Sequence, residues 1–268
     1  MTKLHIVTVA TEIKYYMKYL IETIKTNGGE LVILGFGEKW QGFNWRNKLI
    51  LNYISNLDDD DILCFIDGYD VLCVKNLDSL VDKFEFIKNR EKCKIIVGYE
   101  NILSIGNKIG NFMIFNSTIN AGTYICKIKD LKEIITSILK INQLDDSDDQ
   151  VLLIKYAKNN PKNVYSDIGS ELFLTLIDSC NQINPSNIII DNKIIYNNNN
   201  PYFVHGAANT CMDDLVIRMD LEKKINVCNN YKSDIHKKTF YYTFYLIDLY
   251  GIYILIITLL LIFIFKNK

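Results

Sequence analysis

Asp67 and Asp70 close the stretch Asp61–Asp70, DILCFIDGYD, in which an apolar run stops abruptly at carboxylates. An open α/β sheet delivers charge in this way to the carboxyl edge of its strands, the edge where ligands bind. Two carboxylates there can hold a divalent cation whose other ligands are diphosphate oxygens, and such a cation neutralises a leaving nucleoside diphosphate. A turn in which Asp67 and Gly68 serve geometry alone fits the same spacing. His205, in Phe203-Val204-His205-Gly206, is one of three histidines in the chain. It is either a satisfied core residue or the nitrogen that completes a mixed oxygen and nitrogen ligand set, which moves the expected ion from magnesium toward manganese.

Further candidates surround these three. Tyr69, between the aspartates, and Trp40 can stack on a base or pack in the core. Asp148 and Asp149 stand before an apolar-periodic stretch. They are either an acidic helix start or carboxylates that orient or deprotonate an acceptor hydroxyl or amine. The glycine-bearing loop Gly35–Phe43 is neither GxGxxG nor a Walker loop. Arg46 and Lys48 follow it, and Asp58–Asp61 reads as a solvated acidic turn.

The elements that must position these residues follow from periodicity. Lys3–Ala10 reads as a central strand, Lys14–Lys25 as a helix opened by Thr11-Glu12, and Glu30–Leu34 as a second strand, a βαβ beginning. Asn44–Leu57 has helical spacing, and strand Ile62–Ile66 feeds the DGYD turn. Leu77–Phe86 reads as a helix and Ile95–Gly98 as a strand leading to Tyr99-Glu100. Asn101–Asn111 reads as a loop, Phe112–Phe115 and Ala121–Cys126 as short strands, and Asp130–Ile141 and Val151–Tyr156 as helices. Val164–Asp167, Ile188–Ile190, Ile194–Tyr196 and Tyr202–Val204 are short strand candidates, and Leu215–Ile225 is a helix candidate. The class is α/β, a Rossmann-type mixed sheet flanked by helices.

The formal net charge of −1 over 268 residues gives no broad basic field for nucleic acid. The seven cysteines form no CxxC pair and no zinc spacing, so the expectation is reduced core thiols. No signal peptide is read at the N-terminus, so no oxidising lumen is expected. From Leu249 to Phe265 there is no charged residue. The stretch is apolar on every face and, with Phe240–Ile247 upstream, reaches the roughly 30 Å of a bilayer core. The division is then a domain over 1–230, a polar link over 231–239 and a transmembrane anchor over 240–265. Membrane is thus an expected partner, with the large domain in the cytosol.

Together these residues resemble the glycosyltransferase domain of the procollagen lysyl hydroxylases and, more distantly, the collagen galactosyltransferases. The matching stretches, in order, are Val7–Glu12, Leu34–Trp40 with Gly42, Phe65–Leu72, Asp145–Gln150 and Val204-His205-Gly206. The resemblance implies a GT-A-like fold, manganese, and a UDP-sugar from which galactose or glucose moves to hydroxylysine or galactosyl-hydroxylysine. It implies Asp67, Asp70 and His205 as metal ligands. Val9, Thr11, Trp40 and Tyr69 would be uridine-side residues, Arg46 a phosphate contact, and Gly206 part of the donor site. Glu100, Asp148 and Asp149 would be acceptor-side or catalytic carboxylates, with Asn120-Ala121-Gly122 as a small-residue turn under the donor sugar. By the same analogy the address is the secretory lumen.

Two departures stand out. Where the family continues Asn-Gly-Pro-Thr-Lys after the histidine-glycine pair, this chain has Ala207-Ala208-Asn209-Thr210-Cys211. No aromatic follows Glu100 within 101–104. The expectation is a membrane-anchored, metal-dependent UDP-sugar hexosyltransferase acting on a protein or glycan hydroxyl. The alternatives are a catalytically silent protein that binds a UDP-sugar or a partner, and a metal-dependent nucleotide hydrolase.

Overall fold

A strand buried on both faces has to be apolar at every position, and the run Ile62–Ile66 meets that demand at the centre of the sheet. The structure is a computed structural model that describes residues 2–103, 105–178, 183–190 and 193–230, with Leu246, Ile247, Tyr250, Gly251, Tyr253, Ile257 and 260–262 from the C-terminal segment. The first half of the chain gives β1 (Leu4–Val9), α1 (Met17–Thr26), β2 (Leu31–Leu34), α2 (Phe43–Ile54), β3 (Ile62–Ile66), β4 (Val71–Cys73), α3 (Leu80–Glu91), β5 (Ile95–Ile102) and α4 (Ile105–Ile114). The second half gives β6 (Ile119–Lys127), α5 (Ile128–Ile141), α6 (Asp149–Asn159), β7 (Val164–Ser166), β8 (Phe173–Ile177), β9 (Ile189–Ile190), β10 (Lys193–Ile194), β11 (Phe203–Ala207) and α7 (Asp213–Arg218).

The main sheet runs β2-β1-β3-β6-β5-β8-β11-β4, with β7 beside β5, and β9 pairs with β10 separately. β1 lies parallel to β2 and β3, and β8 parallel to β5 and β11, while β6 runs antiparallel to both β3 and β5. β4 is held at the sheet's end, antiparallel to β11. The period of two sorts β3 between two cores. Leu63 and Phe65 face one side with Ile50 and Ile54 of α2, Leu131, Ile134 and Ile138 of α5, and Leu152, Leu153 and Tyr156 of α6. Ile62, Cys64 and Ile66 face the other, with Leu20 and Ile24 of α1 and Phe84 and Ile87 of α3. A third cluster, Tyr16, Leu72, Leu174, Val204, Met212, Leu215 and Val216, packs α7 at the β11 end. The mixed, helix-flanked sheet agrees with the class read from the sequence.

Several elements differ from the sequence reading. Asn101–Asn111 is not a loop and Phe112–Phe115 not a strand: residues Ile105–Ile114 form α4. That helix is inside out, with Gly106 and Gly110 buried and Ile105, Ile109, Phe112 and Met113 exposed. The Asn120-Ala121-Gly122 stretch is strand interior in β6 rather than a turn. Leu215–Ile225 shortens to α7, because Asp220 takes a left-handed φ of 57° that ends the helix. α1 starts at Met17, after Tyr15 at φ 51°. β4 and β8 have no counterpart among the expected strands.

The cysteines need a correction as well. Cys211 and Cys228 are joined as a disulfide, with Cα atoms 5.3 Å apart and a sequence separation of 17. Closing a loop of that size stabilises a fold by about 3 kcal/mol in the chain-entropy account. Cys64, Cys73, Cys93 and Cys126 are buried free thiols, as expected, and burial raises the pKa of each. Cys180 and the link 231–239 lie outside the described residues, as does most of 240–265. Among the described residues no helix is long and apolar enough to cross a membrane.

Candidate functional site

At the end of β3 the chain turns through Asp67-Gly68-Tyr69-Asp70 into β4. Two backbone bonds fix that turn: the Asp67 N–H donates to the Gly122 carbonyl at 2.7 Å, and the Gly206 N–H to the Asp70 carbonyl at 2.8 Å. Because β11 pairs with β4, His205 lies opposite Val71, one residue from Asp70. The imidazole Nε2 is 3.3 Å from Asp70 Oδ1 and 3.8 Å from Asp67 Oδ2. One ligand atom from each of the three residues falls within 4.8 Å of the others. A Cβ at position 122 would overlap both the Asp67 carboxylate and the His205 ring. Gly122 has no left-handed φ, so glycine is required there for space.

Arg46, on the first turn of α2, is buried against this cluster. Its Nε donates to Asp149 Oδ2 at 2.8 Å, its Nη2 donates to the same oxygen, and its Nη1 donates to Asp67 Oδ1. The guanidinium carbon lies 4.8 Å from the Phe65 ring centroid. One guanidinium therefore serves two carboxylates, with Asp70 alongside, and the buried cluster carries an excess of negative charge. Burial pushes Asp149 up to about 6 against the pull of Arg46. Burial also raises Asp67, with Asp70 adding to the rise and Arg46 and His205 opposing it. Burial alone would lower His205, but Asp70, Asp67 and Glu100 together leave it raised. Two carboxylates and an imidazole, a space that a single methyl would fill, and uncompensated negative charge are the features that suit a divalent cation.

The cluster opens on a cleft of about 270 Å³ whose far wall is Glu100 and α4. Glu100 is 4% exposed. Its carboxylate accepts from Asn111 Nδ2 at 2.6 Å, Gln150 Nε2 at 2.9 Å and Asn120 Nδ2 at 3.3 Å. Burial raises its pKa, and these amides and His205 act against the rise. The inward face of α4 brings Asn107, Gly110, Asn111 and Ile114 to the cleft. Asp148 lines it too, while its Oδ1 caps α6 by accepting from the Val151 N–H at 3.0 Å.

Of the residues singled out in the sequence, Arg46, Asp67, Asp70, Glu100, Asp148, Asp149 and His205 converge on this cleft. Gly206 sits beside it in β11. Thr11 and Tyr69 are joined, the Thr11 N–H donating to the Tyr69 hydroxyl at 3.1 Å. Trp40 is 40% exposed, edge-on to Phe43 and Trp45 with centroids 5.5 and 5.6 Å apart. Val9 packs in the core. The sequence reading missed the amide cradle of Asn111, Asn120 and Gln150. Asn107 and Asn111 stand four apart beside Gly106 and Gly110, a helical spacing that signals a polar inner face.

Over residues 1–232 the sequence matches the family described as the PLOD GT domain. A multifunctional procollagen lysine hydroxylase and glycosyltransferase of Caenorhabditis elegans is 27% identical over 164 residues, which is 56% of this chain and 22% of that protein. The chain thus spans about a fifth of that relative's length. Among solved structures, a glycosyltransferase involved in glycosylation of the major capsid of PBCV-1 superposes with a TM-score of 0.46 at 13% identity, covering 82% of this chain and 100% of the other. The galactosyltransferase LgtC, solved with donor and acceptor sugar analogues, gives 0.41 at 14% identity, covering 75% and 86%. Likenesses at that level carry no functional argument.

Proposed function

We propose, from the premise that the chain belongs to the PLOD GT domain family, that it is a metal-dependent glycosyltransferase of GT-A-like architecture. It moves galactose or glucose from a UDP-sugar to an acceptor hydroxyl, of which hydroxylysine or galactosyl-hydroxylysine in a collagen-like protein is the leading candidate. The observation that carries the reading is the convergence of Asp67, Asp70 and His205 at the mouth of the cleft, with Gly122 keeping the space between them clear. These three would hold the divalent cation, and the imidazole favours manganese over magnesium. When bound, the cation would neutralise the departing nucleoside diphosphate.

The chain's own residues have distinct parts in this reading. Arg46 holds Asp67 and Asp149 in fixed orientation instead of reaching freely for phosphate. Thr11 and Tyr69, bonded to each other at the end of β1, would meet the uridine, with Trp40 at the exposed rim. Glu100, kept basic enough by burial and aimed by three amides, would take a proton from the acceptor hydroxyl. Asp148 and Asp149 would orient that acceptor. The transferase is residues 1–230. The uncharged stretch Leu249–Phe265 supports a membrane anchor joined by the link 231–239. The Cys211–Cys228 disulfide supports an oxidising lumen as the domain's address, in place of the cytosol.

The full chain incubated with manganese and a panel of UDP-sugars should release UDP and form a mass-shifted acceptor with UDP-galactose or UDP-glucose. Asp70→Ala should lose both. No turnover with any UDP-sugar would sink the catalytic claim, and equal cleavage of nucleotides that lack a sugar would favour a hydrolase. One observation favours the silent binder: each candidate acceptor-side carboxylate is already engaged, Glu100 by amides, Asp149 by Arg46 and Asp148 as a helix cap. Tight UDP binding by calorimetry without turnover would decide for that reading.

A further inference from the structure

The loop that follows His205 departs from the family pattern, and it is also where the disulfide attaches. Gly206 packs so closely under Met212 that a Cβ would lie 2.8 Å from Met212 Cγ and 2.9 Å from the Thr210 carbonyl. Ala208 and Asn209 take left-handed φ values of 54° and 60°. A conformation of that kind costs free energy in non-glycine residues and persists only where its surroundings hold it. Thr210 helps from one side, its Oγ1 donating to the Ala207 carbonyl at 2.5 Å and accepting from the Asp178 N–H at 2.8 Å. On the other side stands Cys211, bonded to Cys228.

Behind the disulfide lies a buried knot. Asp213 accepts from the Val227 and Cys228 N–H groups, each at 3.3 Å, and from the Tyr16 hydroxyl at 2.7 Å. Tyr16 is fully buried, and its hydroxyl also accepts from the Met212 N–H at 2.9 Å. The backbone of Tyr16 continues the path, its N–H donating to the carbonyl of Tyr69 at 3.1 Å. Tyr69 sits between Asp67 and Asp70. A second path runs from Cys211 back along the loop to Gly206, whose N–H donates to the Asp70 carbonyl. Residue 228 is thus tied by two short routes to Tyr69 and Asp70, the C-terminal half of the DGYD turn.

We propose that the Cys211–Cys228 disulfide is a redox-sensitive brace of the metal and donor site, one that supports the loop where the family carries other residues. This rests on the proposed role of Asp67, Asp70 and His205 as metal ligands. Formation is a two-electron step: both thiols lose their protons and electrons to an exchanging disulfide, which leaves as two thiols. Reduction by a dithiol returns two protons and two electrons and releases residues 227 and 228 from Asp213. Asp213 then loses its Val227 and Cys228 donors, its carboxylate holds the Tyr16 hydroxyl less rigidly, and the Tyr69-Asp70 end of the DGYD turn and the 206–211 loop loosen together. In an oxidising compartment the site is braced, and in a reducing one it is slack.

The test uses the full chain, prepared oxidised or reduced. A water-soluble phosphine cleaves the bond, is itself oxidised to the phosphine oxide with oxygen from water, and is then removed. Alkylation and mass spectrometry verify each state. There are two readouts: the Kd for manganese, from the paramagnetic resonance signal of the free ion, and hydrogen exchange at the Tyr16 and Gly206 amides. The expectation is at least a roughly tenfold weaker Kd on reduction, the scale for losing a supporting contact at a metal site, and faster exchange at both amides. Cys228→Ser should match the reduced state and not respond to the phosphine. If that variant fails to fold, the comparison of the two forms of the natural chain stands by itself. The proposal is overturned if both cysteines alkylate in the oxidised preparation. It is equally overturned if a verified disulfide is cleaved with the Kd unchanged within twofold and both amides unaffected. Faster amide exchange in a chain that binds no manganese in either form would uphold the brace and remove the metal reading instead.

Discussion

Gly122→Ala adds a single methyl group at the point where the proposed ligands meet. In the structure that carbon would overlap Asp67 Oδ2 and His205 Cε1 and lie 3.0 Å from Asn120 Oδ1. Neither main partner can swing away: His205 is 2% exposed within β11, and the other Asp67 oxygen is bonded to Arg46. Relief needs a displacement on the order of 1 Å, against a tolerance of about 0.2 Å in metal–ligand distances. Overpacking of this kind costs about 1–3 kcal/mol of stability, and the strand backbone itself tolerates alanine. Manganese affinity should fall much further in proportion, by about 100-fold or more, at the upper end of what losing a supporting contact costs. Manganese titration of the full chain measures the affinity, and urea unfolding in chelator measures the stability. A Gly122→Ala protein that binds manganese within about threefold of the natural chain would refute the reasoning, because the space between the ligands would then not matter.

Two more outcomes follow from the charged cluster. Arg46→Met leaves Asp67 and Asp149 buried without their cation and should cost about 3–5 kcal/mol in metal-free unfolding. Adding Asp149→Asn should recover part of the loss, and a single-variant loss under about 1 kcal/mol would deny the guanidinium its role. For pH, burial raises Asp149 from its ordinary value near 4 to about 6. A raised carboxyl contributes stability that is fully present below the unfolded pKa and lost as pH rises through the folded one. In chelator the natural chain should therefore be more stable at pH 5 than at pH 7.5, by about 1.4 kcal/mol from this group, and Asp149→Asn should flatten the difference.

What could be read in the sequence was the part governed by burial on both faces. Ile62–Ile66 had to be a central strand, and the carboxylates after it had to emerge at an edge. His205 before a glycine at a strand end pointed to the same edge. Other features depend on contacts between distant residues, and sequence pattern does not report them. The bonds of Arg46 to Asp67 and Asp149 went unread because those partners lie 21 and 103 positions away. α4 was hidden because its inward stripe is glycine and asparagine while its apolar stripe faces out, the reverse of the usual pattern. The disulfide could not be seen because 17 residues separate its cysteines and only the fold-back through α7 brings them together. β8 escaped the reading although Phe173–Ile177 is fully buried, since the short apolar run is flanked in the sequence by polar residues that read as irregular structure.

The position of β4 has a consequence for how the chain is made. Among the described residues β4 pairs with β11 alone, and β11 lies near the far end of the domain. While the ribosome is still delivering the intervening residues, Val71–Cys73 has no neighbouring strand, and the two aspartates stand without their histidine. An uncovered strand edge invites pairing with other chains, and contacts of such long sequence separation form slowly. The nascent protein therefore cannot assemble its three-residue cluster before residue 205 has emerged. Translation that stops short of β11 would release a fragment with a bare edge and no site, a product for chaperones or proteases to remove.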